Sequence, residues 1–174
     1  MTKAARGDDS AFAALVDRCQ AGLIQYLTLM CGDPPEAEDL AQEVFVRLYR
    51  RRAHYEPVAK LKTYLYHIAR NLLKDRYRRK HRRGADISLE APDPQGVALS
   101  EKLVGDRPDP HHLEKLSLYD LIGKLPEGQR DVLLLNSVEQ LTYPEIAQIL
   151  EIPIGTVKTR MFFAVRKCRE LLGR

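Results

Sequence analysis

The sequence predicts an all-α protein of two small helical domains joined by a flexible acidic linker, with a helix-turn-helix in the second domain. Two observations predict this fold class. Apolar residues recur at three- and four-residue intervals on both sides of residues 84–111, and long alternating strand patterns are missing. Residues 84–111 hold four of the ten prolines, six acids, two bases and no aromatic residue, a composition typical of a linker. The predicted domains therefore span residues 1–83 and 112–174.

Three helices are predicted in the first domain. The first lies near residues 10–30 and ends before Gly32, a helix stop signal. The second begins at the capping box Asp33-Pro34-Pro35-Glu36. The third lies near residues 60–80. Their apolar faces predict a common core from Leu15, Leu23, Leu27, Leu40, Val44, Leu48, Leu61, Leu65, Ile68 and Leu72.

The second domain is predicted to hold helices near residues 113–125 and 127–138, followed by a tight helix pair. A second capping box, Thr142-Tyr143-Pro144-Glu145, begins the first helix of the pair, which ends near Leu150. The turn Glu151-Ile152-Pro153 leads into a longer helix over residues 153–172. This arrangement is typical of a helix-turn-helix, whose second helix enters the major groove of DNA.

The charges are concentrated in two segments. Residues 70–83 hold eight Lys or Arg and one acid, and residues 158–174 hold six Lys or Arg and one acid, although the whole chain has a net charge of only +4. Two compact basic segments on an acidic body indicate a nucleic-acid-binding protein with two contact sites.

On the last helix, the residues opposite the apolar arc fit DNA contacts. Gly155 and Thr156 allow the helix N-terminus to approach a phosphate closely. The remaining residues suit phosphates, base edges and thymine methyl groups; they are Lys158, Thr159, Arg160, Phe162, Phe163 and Arg166. The alternatives are an ordinary helical hairpin with a solvated basic face, or phenylalanines that pack on a neighbouring helix or a protein partner.

The third helix carries bases interleaved with aromatic residues on the side away from its apolar arc. This pattern fits an unpaired strand whose bases are splayed out and stacked. The candidates are Thr63, Tyr66, His67, Arg70, Asn71, Lys74, Tyr77 and Arg78, together with Tyr55 in the preceding loop. The alternative is a solvated charge run with tyrosines at the rim of the bundle.

The second helix presents a polar face of different character. Asp39, Gln42, Glu43 and Arg47 line it at helical spacing. One interpretation is that these acids serve capping and solubility, since acids are favourable near a helix N-terminus. The alternative interpretation is a protein-binding face, since acids here would repel DNA.

The sequence also predicts what the protein lacks. No apolar run exceeds six residues and the N-terminus carries no secretory signal pattern, so we expect no membrane insertion. The three cysteines are widely spaced and form no metal-binding pattern, which favours free thiols in a reducing cytoplasm. We expect no cofactor, no metal and no catalytic residues.

Five segments, in order, are similar to motifs of one known family. They are Glu36-Ala37-Glu38-Asp39-Leu40-Ala41-Gln42-Glu43-Val44-Phe45, Tyr64-Leu65-Tyr66-His67-Ile68-Ala69-Arg70-Asn71, Leu125-Pro126, Tyr143-Pro144-Glu145-Ile146-Ala147 and Ile152-Pro153-Ile154-Gly155-Thr156-Val157-Lys158-Thr159-Arg160. Through these motifs, which extend over nearly the whole chain, the protein resembles the bacterial extracytoplasmic-function (ECF) sigma factors.

The resemblance implies a dissociable, non-catalytic promoter-specificity subunit of bacterial RNA polymerase. In that family the first domain binds and helps to melt the −10 element, the second reads the −35 element, and the linker runs into the RNA exit path. The implied partners are core polymerase, promoter DNA and an anti-sigma factor. By position, Asp39, Gln42 and Glu43 would meet the polymerase clamp helices. The implied DNA residues are Tyr55, Arg70, Asn71 and Lys74 at −10, and Lys158, Thr159, Arg160 and Phe162 at −35.

Two departures from the family pattern change what is expected. Tyr64 replaces the usual tryptophan and keeps an aromatic ring. Phe163-Ala164-Val165 replaces the usual Arg-Ala-Arg, so two bases are lost from the recognition helix and the −35 preference is expected to differ. Because the given sequence ends soon after this helix, we expect no extra C-terminal domain of the kind that some relatives carry.

Two rival functions follow from the residues alone. A stand-alone helix-turn-helix regulator would normally dimerise on a palindromic site, and no heptad follows Leu172. An enzyme acting on nucleic acid would need a carboxylate cluster, a Cys/His metal set or a glycine-rich phosphate loop, and the sequence shows none.

Overall fold

A computed structural model of the protein describes residues 2–5, 7–54, 60–84 and 118–173, and these residues are almost entirely helical. Within these described ranges, the first part of the chain holds four α-helices and one 3₁₀ turn, and the second part holds four α-helices. In chain order they are α1 (Thr2–Ala5), α2 (Asp9–Cys31), α3 (Pro34–Arg50), the 3₁₀ turn (Arg52–His54), α4 (Leu61–Gly84), α5 (Leu118–Gly123), α6 (Glu127–Ser137), α7 (Tyr143–Leu150) and α8 (Ile154–Leu171). The predicted all-α class is confirmed.

Local sequence signals explain where α2 and α3 begin and end. The side chain of Asp8 accepts a hydrogen bond from the backbone N–H of Ala11 and caps α2. Gly32 ends α2 in the left-handed conformation, with φ of 75°, which glycine adopts without a steric penalty. Asp33 then caps α3 through the N–H of Glu36. The Glu36 carboxylate also accepts a hydrogen bond from Nε of Arg76 on α4, at 2.8 Å, an ion pair that the sequence did not predict.

The apolar faces of the two parts form one continuous core. Buried leucines and valines of α2, α3 and α4 join buried residues of α6, α7 and α8 in a single cluster. Burial of such side chains is the main favourable contribution to folding. Among the largest fully buried side chains are Tyr26, Tyr66, Leu23, Leu27, Leu48, Leu65, Leu134, Leu135, Ile146 and Ile149.

Two residues of α4 lie differently from the helical-wheel prediction. Thr63 and Tyr66 were expected on or beside the outward face, but both are buried. Helix α7 of the second part packs against the side of α4 that carries Thr63, and the ring of Tyr66 packs edge to face on Tyr26 of α2, with centroids 5.2 Å apart. Helix α4 therefore has two buried sides, whereas a helical wheel for a surface helix assumes one buried side and one solvent-facing side.

The linker lies almost wholly outside the described residues, which resume at Leu118. The boundaries of the two domains therefore remain predictions.

Candidate nucleic-acid interfaces

The predicted helix-turn-helix is formed by α7 and α8. The backbone N–H and the hydroxyl of Thr142 donate to the Glu145 carboxylate at 2.8 and 2.6 Å, within the predicted capping box. These hydrogen bonds, together with Lys60 at 3.0 Å, lower the pKa of Glu145 to about 2. Glu151 forms the turn in the left-handed conformation, with φ of 56°. Val157, Met161 and Ala164 bury one side of α8 against the core.

The opposite side of α8 is open to solvent. Gly155, Lys158, Thr159, Phe162 and Arg166 are exposed there, as the sequence predicts. Thr159 donates its hydroxyl to the carbonyl of Gly155, one turn earlier, at 3.0 Å. Arg166 forms an ion pair with Glu170 at 3.0 Å.

Two predicted residues of the α8 surface are only half-exposed. They are Thr156, in the first turn of α8, and Arg160. The Arg160 guanidinium lies so close to Gly128 on α6 that a side chain at Gly128 would meet it at 2.9 Å. Arg160 therefore extends along α6 as well as towards the open surface.

A pair of phenylalanines stands out on this open side. Phe162 and Phe163 are 63% and 45% exposed, and their rings meet edge to face with centroids 5.5 Å apart. Val165 is exposed next to them. The side chains that replace the family's usual arginines therefore give this surface an apolar centre inside a basic border.

The basic face of α4 is turned towards the second part of the chain. The predicted residues Thr63, His67, Arg70, Asn71 and Lys74 are buried or half-buried. Tyr77 and Arg78, further along α4, are exposed, and Tyr55 lies outside the described residues. The structure thus brings the candidates on α4 together on one side, but it pairs most of their charges with acids of α6 and of the α7–α8 turn.

Arg70 is at the centre of this contact. Its Nε lies 2.7 Å from Oδ2 of Asp131 and its Nη2 lies 2.8 Å from Oε1 of Glu127, and its side chain is only 12% exposed. Tyr26 donates its hydroxyl to the other oxygen of Asp131 at 2.7 Å. Burial raises the pKa of Asp131, although Arg70 and Tyr26 both act to lower it. Burial also raises the pKa of Tyr26, so its hydroxyl stays protonated and remains a donor.

Further ion pairs surround the buried centre. Glu151 lies 3.3 Å from Nε2 of His67 and 3.7 Å from Nζ of Lys74, and its side chain is 60% exposed. Lys62 lies 2.9 Å from the Glu139 carboxylate and also donates to the Glu139 carbonyl at 2.6 Å. The pairs between α4 and the second part of the chain therefore run along the helix from Lys62 to Lys74.

Arg130 joins the same two parts at another place. Its guanidinium donates to the carbonyl of Met30 at 3.3 Å, near the C-terminal end of α2. It also donates to the carbonyls of Gly123 and Leu125, at 2.7 and 3.1 Å, between α5 and α6. A cation at carbonyls that end a helix is favourable because these carbonyls lack intrahelical partners.

Sequence reasoning missed the acidic half of this contact. Asp131 directly precedes the apolar run Val132–Leu135, and it is buried together with Val132, Leu134 and Leu135. A single acid on the apolar side of an amphipathic helix is unusual, because an unpaired buried carboxylate is strongly unfavourable. That position was the available signal that Asp131 has a basic partner elsewhere in the chain.

The predicted face of α3 is exposed and lies beside an apolar groove. Asp39, Gln42 and Glu43 are open to solvent, while Arg47 is half-exposed and pairs with Glu43 at 2.8 Å. Between α2 and α3 lies a groove of about 420 Å³, whose lining includes Gln42 as well as Val16, Ile24, Phe45 and Val46. Acidic and apolar groups are therefore presented side by side on this surface.

The described residues contain no group of three or more His, Cys, Asp or Glu placed to hold a metal ion. Within the same ranges, no helix combines the length and the apolar character that crossing a bilayer requires. Cys19, Cys31 and Cys168 are half-buried free thiols, and burial raises the pKa of each.

Comparison with known protein families gives two matches along the chain. The family described as Sigma-70 region 2 matches residues 15–83, which include α2, α3 and α4. The family described as Sigma-70, region 4 matches residues 115–168, which include the helix-turn-helix. The whole of the predicted linker, residues 84–111, lies between the two matches.

Relatives of known function resemble nearly the whole chain. The ECF RNA polymerase sigma factor SigW of Bacillus subtilis is 37% identical over 161 residues, covering 90% of this chain and 86% of SigW. The RNA polymerase sigma-H factor of Pseudomonas aeruginosa is 32% identical over 163 residues, covering 91% of this chain and 84% of that factor. The ECF RNA polymerase sigma-E factor of Escherichia coli K12 is 30% identical over 176 residues, covering 91% and 85%.

Solved structures share the fold at lower identity. The sigma factor RpoE of Bartonella quintana, in complex with the anti-sigma factor NepR, superposes with a TM-score of 0.73 at 23% identity, covering 94% of this chain and 97% of RpoE. CnrH, in complex with the cytosolic domain of CnrY, gives a TM-score of 0.70 at 23% identity, covering 99% and 94%. The region matches, the relatives and the helix-turn-helix agree, and the chain belongs to the ECF sigma factors of bacterial RNA polymerase.

Proposed function

We propose that this sigma factor binds its partners through three separate surfaces, and that it has no catalytic activity of its own. The exposed face of α3 binds core polymerase, the basic face of α4 engages and helps to melt the −10 element, and α8 reads the −35 element. The first domain would span residues 1–83, the linker 84–111 and the second domain 112–174. The protein would act in the cytoplasm, where the polymerase is.

The observation that carries this proposal is the open surface of α8. Its backbone is placed by a capped α7 and a buried Val157–Ala164 side, and its outward side presents Lys158, Thr159 and Arg166 to solvent. A recognition helix needs this arrangement, since phosphate contacts position the helix and base contacts specify the sequence.

The apolar centre of this surface supports a −35 preference that differs from that of relatives with arginines there. Phe162 and Phe163 cannot donate hydrogen bonds to guanine, but their rings can contact the methyl group of thymine. We expect Phe163→Arg to move the preference towards G·C pairs. A binding selection on randomised −35 duplexes, with holoenzyme, measures this shift.

The surface of α3 supports polymerase binding because it combines acids with an apolar groove. Interfaces between proteins have an apolar centre and a polar rim. On α3, the groove beside Gln42 would supply the apolar centre, and Asp39 and Glu43 would supply the polar rim. A charged face of this sign disfavours DNA, whose phosphates it would repel.

An anti-sigma factor is the remaining proposed partner. The relatives RpoE and CnrH were solved in complexes with NepR and with the cytosolic domain of CnrY, and this chain shares their fold. We expect a protein of this kind to bind the chain and to compete with core polymerase. Affinity purification from the native cell, followed by a competition assay with purified core polymerase, tests this expectation.

Run-off transcription tests the proposed function as a whole. Core polymerase with this protein should yield transcripts of defined length from some promoters of a library, and core polymerase alone should not. Asp39→Arg should weaken polymerase binding, while Lys158→Ala should leave polymerase binding unchanged and weaken promoter recognition. Equal polymerase binding by both variants would contradict the assignment of the α3 surface.

A further inference from the structure

A glycine of α6 lies directly against an arginine of α8. A Cβ atom added to Gly128 would meet Cζ, Nη1 and Nε of Arg160 at 2.9, 3.0 and 3.1 Å. An approach to the edge of the guanidinium would bring a nitrogen nearer than the central carbon, so these distances mean that the face of the group is turned to the glycine. The Arg160 guanidinium therefore lies flat over the space that a side chain at Gly128 would fill.

The helix itself gives no reason for a glycine at this position. Gly128 lies in the first turn of α6, and its backbone does not adopt the left-handed conformation that favours glycine. Alanine is the better helix former, because glycine loses more conformational freedom on folding. Most other glycines of the described ranges have nothing within 4 Å of an added Cβ atom. The close approach at Gly128 is therefore a specific feature of the contact between α6 and α8.

Arg160 stands at the rim of the α8 surface and not at its centre. At about 100° per residue, it lies about 60° around the helix from the buried Val157 and about 120° from the exposed Arg166. The centre of a recognition helix faces the base edges, whereas its flanks face the walls of the groove, where the phosphates are. The position of Arg160 therefore suits a phosphate contact.

We propose that Gly128 is a positioning residue for −35 recognition. Its bare Cα atom is the seat of the Arg160 guanidinium and holds this group at the rim of α8, in place to contact a phosphate of the duplex. The proposal rests on the proposed function, because it assumes that α8 binds the −35 element.

The seat would fix the guanidinium and keep its donors available. The five N–H groups lie in the plane of the guanidinium and point outwards from its edges, so contact through the face does not use them. Asp131, one turn further along α6, attracts the positive charge: burial raises the pKa of this carboxyl, and Arg160 is one of the cations that act to lower it. An arginine held in this way has less side-chain freedom to lose on binding, a loss that otherwise reduces affinity.

Gly128→Ala removes the seat by adding one methyl group. The atoms that this methyl group would meet are at the free end of a long side chain, so Arg160 can move aside and the fold should persist. The urea midpoint of this variant should equal or exceed that of the wild type, since alanine favours helices. Gly123→Ala is the matched control, because Gly123 is exposed at the end of α5 and an added Cβ atom there meets nothing within 4 Å.

Binding to DNA is measured with holoenzyme made from each full-length chain. A fluorescein-labelled duplex carries the −35 element of a promoter that is active in run-off transcription, and binding is followed by fluorescence anisotropy. We expect Gly128→Ala to bind about fivefold more weakly than Gly123→Ala, the cost of immobilising one long side chain. Because a phosphate contact carries no sequence information, the loss should be similar for duplexes with different −35 sequences. The salt slope should fall by up to about one unit.

A double-mutant cycle determines whether the effect passes through Arg160. Arg160→Ala should weaken binding at least as much as Gly128→Ala, and adding Gly128→Ala to it should cause no further loss. The proposal is wrong if Gly128→Ala binds as tightly as Gly123→Ala, if its loss persists in the Arg160→Ala background, or if the loss depends on the −35 sequence.

A second measurement does not depend on the folding of any variant. In the free full-length wild type, nitrogen relaxation of the side-chain Nε–H groups reports motion on the picosecond-to-nanosecond timescale. We expect a higher order parameter for Arg160 than for Arg169, which is exposed further along α8. This difference should disappear in Gly128→Ala. Equal order parameters of the two arginines in the wild type would contradict a seat at Gly128.

Two outcomes separate failure of this proposal from failure of the proposed function. If Arg160→Ala weakens −35 binding and Gly128→Ala does not, only the positioning role is wrong and the sigma-factor assignments stand. If Arg160→Ala binds as tightly as the wild type, Arg160 is not a −35 contact, and both that assignment and the positioning role of Gly128 are wrong.

Discussion

Replacing Tyr26 by phenylalanine tests whether the two parts of the chain pack as described. The hydroxyl of Tyr26 donates to Asp131 at 2.7 Å, from α2 in the first part to α6 in the second. The ring is fully buried and meets Tyr66 edge to face, with centroids 5.2 Å apart. Phenylalanine keeps this ring and its packing, so the variant removes one hydrogen bond and creates no large cavity.

The expected loss follows from the charge and burial of the acceptor. A hydrogen bond to a charged group contributes about 1.5–3 kcal/mol, and more is lost when the remaining partner stays buried. Asp131 is almost fully buried, but it keeps Arg70 at 2.7 Å. We therefore expect Tyr26→Phe to lower the free energy of unfolding by about 2 kcal/mol.

Urea unfolding of the full chain, followed by circular dichroism at 222 nm, measures this loss. With a slope of about 2 kcal/mol per molar urea, the midpoint should fall by about 1 M. Tyr49→Phe is the matched control, because its hydroxyl donates to Asp9 at 3.1 Å in an exposed contact within the first part of the chain. The control should lose less than about 0.5 kcal/mol. Equal losses in the two variants would refute the described packing of α2 against α6.

Three further predictions concern single side chains. Glu145→Gln should destabilise the protein by about 1 kcal/mol at pH 7, as for a lost cap. The pKa of Glu145 is lowered to about 2 in the folded protein, whereas in the unfolded chain it is about 4.3. The stabilisation by the Glu145 carboxylate is therefore complete above pH of about 4.3 and is lost as the pH falls from there through 2. Urea unfolding of the variant and of the wild type should give the same stability at the low end of this pH range. Lys158→Ala should weaken −35 duplex binding by holoenzyme similarly for all sequences and reduce the salt slope by about one unit, whereas a sequence-dependent loss would indicate a base contact. Asn71→Ala should impair promoter opening, measured by permanganate footprinting, more than polymerase binding, and equal losses would mean that this side of α4 is misassigned.

Much of the fold could be predicted because local sequence signals for helix ends agree with the helices of the folded structure. Gly32, Asp33 and the Thr142–Glu145 box act within one turn of chain, so they mark helix ends whatever surrounds them. The predicted bounds of α2 and α6–α8, and the predicted start of α3, agree with the structure to within about two residues, the usual uncertainty of helix ends.

The contact between the two parts could not be predicted in the same way. Its partners, such as Tyr26 and Asp131, are separated by 105 positions, and no periodicity connects residues so far apart. The basic run on α4 was therefore interpreted as a solvent-facing surface, although Arg70 is paired and nearly covered. On α8, by contrast, most of the outward residues are exposed as predicted, although Thr156 and Arg160 are half-exposed, because the buried residues of that helix lie on one side.

The central claim is that this chain directs RNA polymerase to promoters through two DNA-binding surfaces. Run-off transcription with purified core polymerase across a promoter library, with and without the protein, tests it most directly. We predict transcripts of defined length that depend on the protein and whose yield falls with Lys158→Ala or Asn71→Ala. Transcripts that do not depend on the protein, or their absence from every promoter in the library, would contradict the claim.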